Sequence, residues 1–188
     1  GVSVPRGLPR VMESARTAGN SFDKAGGDRV KPYVTALTSA CVLRDGESLS
    51  SERMIRNVGP TLTAGVHAIW ERAYGPGSNL GMENPDLAGE YDRYIREYGD
   101  KRPKPTPDDR RYLDVHEGHY VYLKEGEERF VSSEMLARTL TGTGQEISQR
   151  LDELEAIGVN NVALSAVDRQ AAQELIADFS EQVIRRRG

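Results

Sequence analysis

Apolar positions recur along the chain with two different periods, and the period assigns the elements. From Leu8 to Ala18 the residues Leu8, Val11, Met12, Ala15 and Ala18 fall on one helical face, and Gly19 stands where a left-handed cap ends a helix. After a polar loop containing Gly26-Gly27-Asp28, the run from Pro32 to Leu43 is apolar, rich in β-branched residues and closed by Asp45-Gly46, which predicts a buried strand. Met54, Ile55, Val58, Leu62, Val66, Ile69, Trp70 and Ala73 then recur at spacings of three and four. They predict a long amphipathic helix, bent at Gly59-Pro60 where proline removes a backbone donor.

The middle of the chain is broken by turn formers. The stretch from Tyr74 to Asn84 reads as a loop, and Asn84-Pro85 has the cap and first-turn chemistry of a helix with Leu87, Tyr91, Tyr94, Ile95 and Tyr98 on its apolar face, ending at Gly99. Three prolines between Lys101 and Asp109 require extended backbone, after which Thr106-Pro107-Asp108-Asp109 predicts a short capped helix. His119 to Leu123 and Glu128 to Val131, joined by a charged Lys-Glu-Gly-Glu turn, predict a small hairpin.

The last third has the clearest pattern. Thr143-Gly144-Gln145-Glu146 is a capping box, followed by Ile147, Leu151, Leu154 and Ile157 on one face until Gly158 stops the helix. Asn161 to Val167 predicts a buried strand, and Asp168 caps a final helix with Ala172, Leu175, Ile176, Phe179 and Val183 inward. Helix, strand and helix with short connections is the order of a parallel α/β sheet. Only about two buried strands are visible, however, far short of the roughly five to eight of an autonomous α/β domain. The sheet is therefore expected to be completed by another polypeptide segment.

Composition narrows the setting. The chain has 188 residues, 25 basic and 29 acidic side chains and a net charge of −4, so no basic stripe for nucleic acid is expected. No apolar run is long enough to cross a bilayer, and Gly1-Val2-Ser3-Val4-Pro5-Arg6 lacks the regions of a secretion signal. The single cysteine, Cys41, can form no internal disulfide, which favours a reducing, cytoplasmic setting. Arg185-Arg186-Arg187 reads as a solvated helix end. The opening residues read like the middle of a longer polypeptide, with residues 1–188 forming a single unit that carries an irregular insertion over about 75–132.

Few residues carry recognisable chemistry. His116-Glu117-Gly118-His119 places two imidazoles three apart, whereas a zincin helix needs them four apart, and His67 and Cys41 are isolated in sequence. No metal site is expected. The pair, with Tyr120 behind it and Gly118 giving the loop freedom, reads either as part of a substrate pocket or as structural. Gly142-Thr143-Gly144 lacks the third glycine of a dinucleotide fingerprint and the lysine of a P-loop, so a plain helix cap is expected there. There is no Gly-x-Ser-x-Gly elbow, and neither Cys41 nor any serine stands beside an obvious base. Tyr91, Tyr94 and Tyr98 read as a core-packing face rather than a stacking platform.

The run TGTGQEISQRLDELEAIGVNNVAL, Thr141 to Leu164, resembles the ending of luciferase-like monooxygenases, the bacterial-luciferase superfamily of flavin- or deazaflavin-dependent oxidoreductases. The stretch YLDVHEGHYVYLKEGEERFVS, Tyr112 to Ser132, resembles a segment of its methylenetetrahydromethanopterin-reductase-like branch. The helix ending at Ala18-Gly19, and the strand up to Asp45-Gly46 before a long helix, fit the region after the sixth strand of those proteins. The resemblance implies the C-terminal part of an eight-stranded (β/α) TIM barrel, incomplete on its own, which would account for the strand shortage. It further implies FMN or a deazaflavin coenzyme F₄₂₀ as cofactor, held at the barrel mouth mostly by residues outside this chain, and a small organic substrate. His116, His119 and Tyr120 are the nominated substrate-pocket residues, and no catalytic or coenzyme-binding position carries over. The expected partners are an N-terminal portion or partner subunit and further copies of the chain in a homo-oligomer. A non-catalytic accessory or truncated subunit that pairs with a barrel partner is the other reading.

Overall fold

Thr35–Val42 is the strand on which the sheet is built. The computed structural model describes residues 2–3, 13–14, 16–17, 20, 33–76 and 84–187. They contain β1 (Val2–Ser3), β2 (Thr35–Val42), β3 (Leu140–Gly142) and β4 (Asn161–Ser165). Among the described residues every pairing is parallel: β1 and β4 lie alongside the first half of β2, Ala36 opposite both Val2 and Val162, while β3 takes its last three residues, Ala40 to Val42. The fold is thus α/β, helix-rich, with a small parallel sheet. Among the described residues β2 has a neighbour on each side at Ala36 and Leu37 and one, β3, along Ala40 to Val42, although only two strands were expected. β3 escapes the pattern because three residues are too few to set a period.

The chain divides into two compact units, residues 1–58 with 132–188, and Gly59–Val131. In the first, Ala36, Ala40 and Val42 of β2 and Leu140 of β3 pack with Ile147, Leu154, Val159 and Val183. The helix Gly144–Ala156 follows β3 directly and carries the expected capping box: the Glu146 amide donates to Thr143 Oγ1 and the Thr143 amide donates to Glu146 Oε2. Asp168 caps the helix Arg169–Phe179 by accepting from the Ala171 amide at 2.7 Å. Leu175 and Phe179 of that helix pack on the core, but Ile176, expected inward, is 70% exposed. Arg53 fastens the last helices to the end of β2, its guanidinium reaching the Val42 carbonyl, Glu47 and Asp178.

α1 (Glu52–Tyr74) starts in the first unit and supplies the opening helix of the second, running through Gly59-Pro60 as one helical segment. A Cβ on Gly59 would lie 2.9 Å from Leu123 Cδ1, so the glycine admits close packing by Leu123. α2 (Pro85–Asp100) is capped by Asn84, as its sequence predicts, and buries Ala88, Tyr91, Tyr94 and Ile95. Tyr91, Tyr94 and Phe130 pack ring on ring with centroids 5.0–5.4 Å apart. The stretch read as an irregular insertion therefore has a core of its own. Asp114, fully buried, gathers Arg102, Thr106 and Arg111 around its carboxylate. Thr106 is drawn into that contact instead of capping the helix expected after it, and Asp108–Arg110 and Tyr112–Val115 form single helical turns.

The hairpin expected over His119–Leu123 and Glu128–Val131 is not formed. Residues 116–121 are turns and Glu127–Phe130 is a 3-10 turn. Gly118, Tyr120 and Gly126 have φ of +72°, +64° and +80°, in the left-handed region that a strand does not use. The first helix expected, Leu8 to Ala18, falls largely outside the described residues, though Glu13, Ser14, Arg16 and Thr17 are helical. The Gly26-Gly27-Asp28 loop and residues 77–83 of the second loop also lie outside them.

Candidate functional site

The second unit collects all three histidines of the sequence. His67 lies on α1 with Val66, Ile69 and Trp70 around it in sequence, a position where burial is dictated by the apolar face. His116 ends the one-turn helix Tyr112–Val115, and His119 follows in a turn closed by the Val121 and Tyr122 amides donating to the Gly118 carbonyl. His67 Nδ1 is 2.8 Å from His119 Nδ1, and His116 Nδ1 is 3.4 Å from the same atom. Tyr120 packs edge-on against His119, centroids 4.5 Å apart, and is 45% exposed. The three residues nominated from sequence are thus together, and the isolated His67 joins them.

Beneath the imidazoles lies a charged centre that sequence reasoning missed. Glu127 Oε1 accepts from His67 Nε2 at 2.8 Å and from the Tyr91 hydroxyl at 2.6 Å, and stands 2.6 Å from Lys124 Nζ. Glu127 Oε2 accepts the Lys124 amide at 3.0 Å. The ammonium of Lys124 also donates to the Val115 and Glu117 carbonyls, so each of its three protons has an acceptor. Its only sequence signal is Lys124-Glu125-Gly126-Glu127, charges three apart around a glycine, which reads equally well as a solvated turn.

Burial pushes the Glu127 carboxyl up, but the hydrogen bond from His67, the charge and hydrogen bond of Lys124 and the hydrogen bond from Tyr91 outweigh it and hold the group at about 2. Burial lowers Lys124, opposed by Glu127. Burial also lowers His67, and it brings His119 down to about 4 with help from its two neighbouring imidazoles. Burial raises Tyr91 further above its ordinary range, aided by Glu127. An ionised Glu127 can only accept, so His67 carries its proton on Nε2 and turns an Nδ1 lone pair toward His119. His67 and His119 are thus held toward their neutral forms above the buried Glu127 carboxylate, an arrangement suited to ligating a cation.

Other sequence candidates behave as structural groups. Cys41 is buried against Arg53 and Asn57, and burial raises its thiol. Gly142-Thr143-Gly144 serves the helix cap. A cleft lined by Gln145, Ser148, Asp152, Arg186 and Arg187 belongs to the first unit and contains none of the nominated residues. No helix among the described residues is long and apolar enough to cross a membrane. No protein-family model, curated protein or solved structure matches the chain.

Proposed function

We propose that the chain supplies the C-terminal strands and helices of a luciferase-like (β/α) barrel oxidoreductase or monooxygenase that uses FMN or a deazaflavin coenzyme on a small organic substrate. The observation that carries this reading is the succession β3, helix Gly144–Ala156, β4, helix Arg169–Phe179, with every strand pairing parallel. A strand–helix alternation of this kind also builds a (β/α) barrel, although here β3 and β4 each pair with β2 and not with one another, and it falls on the residues whose sequence resembles the end of that family. Further support comes from the open sheet: among the described residues β4 pairs with β2 alone. Its other edge leaves room for a further strand. His116, His119 and Tyr120 serve in this reading as polar groups on the substrate side.

The test is coenzyme retention. The full-length protein containing this chain is mixed in turn with FMN and with a deazaflavin coenzyme and passed through gel filtration. Flavin-type absorbance travelling with the protein supports the assignment, and loss of both coenzymes removes it. Copurification of a barrel-like second subunit with a coenzyme-free chain favours an accessory role instead.

A further inference from the structure

The convergence of three imidazoles in the second unit points to a different ligand. Three Nδ1 atoms converge, two pairs of them at 2.8 and 3.4 Å, and one ligand atom from each ring lies within 4.8 Å of the others. His67 spends its proton on Glu127 through Nε2, and His116 Nε2 faces Glu71 Oε1 at 2.7 Å in the same way. With both outer nitrogens facing carboxylates, the Nδ1 atoms of His67 and His116 are turned inward toward that of His119.

A cation satisfies all three at once. We propose that His67, His116 and His119 bind a zinc-type divalent transition-metal ion through their Nδ1 atoms, with a fourth position open to water on the side of His116 and Tyr120. A tetrahedral ion with bonds of about 2.0–2.1 Å sets its ligand nitrogens roughly 3.3–3.4 Å apart. The His116–His119 separation of 3.4 Å already meets that distance. The His67–His119 contact opens by about 0.5 Å on binding, through movement of the turn after Gly118. Glu127 and Glu71 then act as the carboxylates that metal-bound histidines use to fix their outer protons and strengthen the inner nitrogen as a donor. Imidazole ligands select zinc, cobalt, nickel or copper over magnesium and calcium, which prefer oxygen. Entry is open from outside, the His116 side chain being 36% exposed while that of His67 is 1% exposed. All ligands and their carboxylates lie between His67 and Glu127, so the site stands independently of the coenzyme reading.

Cobalt(II) alone is the probe. The full chain, stripped with a chelator, is titrated with Co²⁺ and followed by the intense visible bands of tetrahedral cobalt, then challenged with Zn²⁺. Saturation at one ion per chain, loss of the bands on adding Zn²⁺, and their absence in His116→Ala and His119→Gln support the site. These two positions are only partly buried, and circular dichroism verifies that both variants fold. Glu71→Gln, which keeps every ligand, is expected to weaken binding about 10- to 100-fold. Weak octahedral cobalt spectra indistinguishable between the wild-type chain and the folded variants overturn the proposal, as does the absence of any bound Co²⁺ or Zn²⁺ after gel filtration.

Discussion

Lys124 and Glu127 form an ion pair at 2.6 Å with both side chains withdrawn completely from solvent. Charges at that depth persist only when fully hydrogen-bonded, and here every proton of the ammonium and both carboxylate oxygens are engaged. The pair pins the turn Lys124–Glu127 under His67, and so sets the position of the deepest ring of the cluster.

Removing one partner strands the other. Glu127→Ala is expected to destabilise the chain by about 3–5 kcal/mol, because it leaves a buried ammonium without its counter-ion and the Tyr91 hydroxyl without an acceptor. Replacing both charges, Lys124→Met with Glu127→Leu, is expected to restore most of that loss. Urea denaturation of the two variants checks this, and an equally large loss in the double variant would falsify the account of the pair as a desolvated charge couple.

Much of the fold is legible in the sequence where local chemistry decides it. Asn84, Thr143 and Asp168 each cap the helix their neighbourhood predicts, and the apolar run around Thr35–Val42 is the central strand. The candidate site was readable only in part. His116 and His119 are sequence neighbours, but His67 is 49 positions before the first of them, and nothing in a helical apolar period tells which distant turn covers it. The failed hairpin has a related cause: HYVYL alternates like a strand, yet its backbone follows Gly118 and the buried Lys124, and tertiary context overrides propensity.

Removal of the Thr143 hydroxyl tests the best-predicted element. Thr143→Ala removes the acceptor of the Glu146 amide but leaves the backbone amide of position 143 donating to Glu146, the other half of the box that opens Gly144–Ala156, and is expected to cost about 1 kcal/mol. Thr143→Ser keeps the acceptor and is expected to stay close to the wild-type chain. The comparison is read from denaturant midpoints.

Acid should weaken the junction between β2 and α1. The Glu47 carboxyl is held at about 2 against an ordinary 4.5, chiefly by its hydrogen bond from Arg53, which overcomes burial, with the Arg44 amide and Ser51 hydroxyl adding to it. A carboxyl depressed in the folded state binds its proton more readily when unfolded. Its contribution is therefore complete above about pH 4.5 and is lost as pH falls toward 2. Because water still reaches the pair, the loss is expected to be on the order of 1–2 kcal/mol rather than the full value of the shift. Thermal unfolding between pH 6 and pH 2.5, followed by circular dichroism, should fall more steeply for the wild-type chain than for Glu47→Gln. Parallel curves would show that this carboxylate does not carry the acid sensitivity.

Gly118 is the position where backbone conformation and histidine placement meet. Its φ of +72° lies in the left-handed region, and a Cβ there would stand 2.6 Å from the Tyr122 carbonyl oxygen and 2.8 Å from the Tyr122 ring. The carbonyl belongs to backbone that the turn itself fixes, so it cannot swing aside as a flexible side chain would. Gly118→Ala therefore faces both conformational strain and a steric contact, and is expected to cost roughly 1–3 kcal/mol. The easiest relief is to open the turn, which separates His119 from His67 and His116. Loss of tetrahedral cobalt bands in a folded Gly118→Ala chain is the expected signature, with Val121→Ala, at an exposed position in the same turn, retaining them. A Gly118→Ala chain as stable as the wild-type chain would mean that the turn adapts without strain, and the histidine geometry would then not depend on the backbone conformation at Gly118.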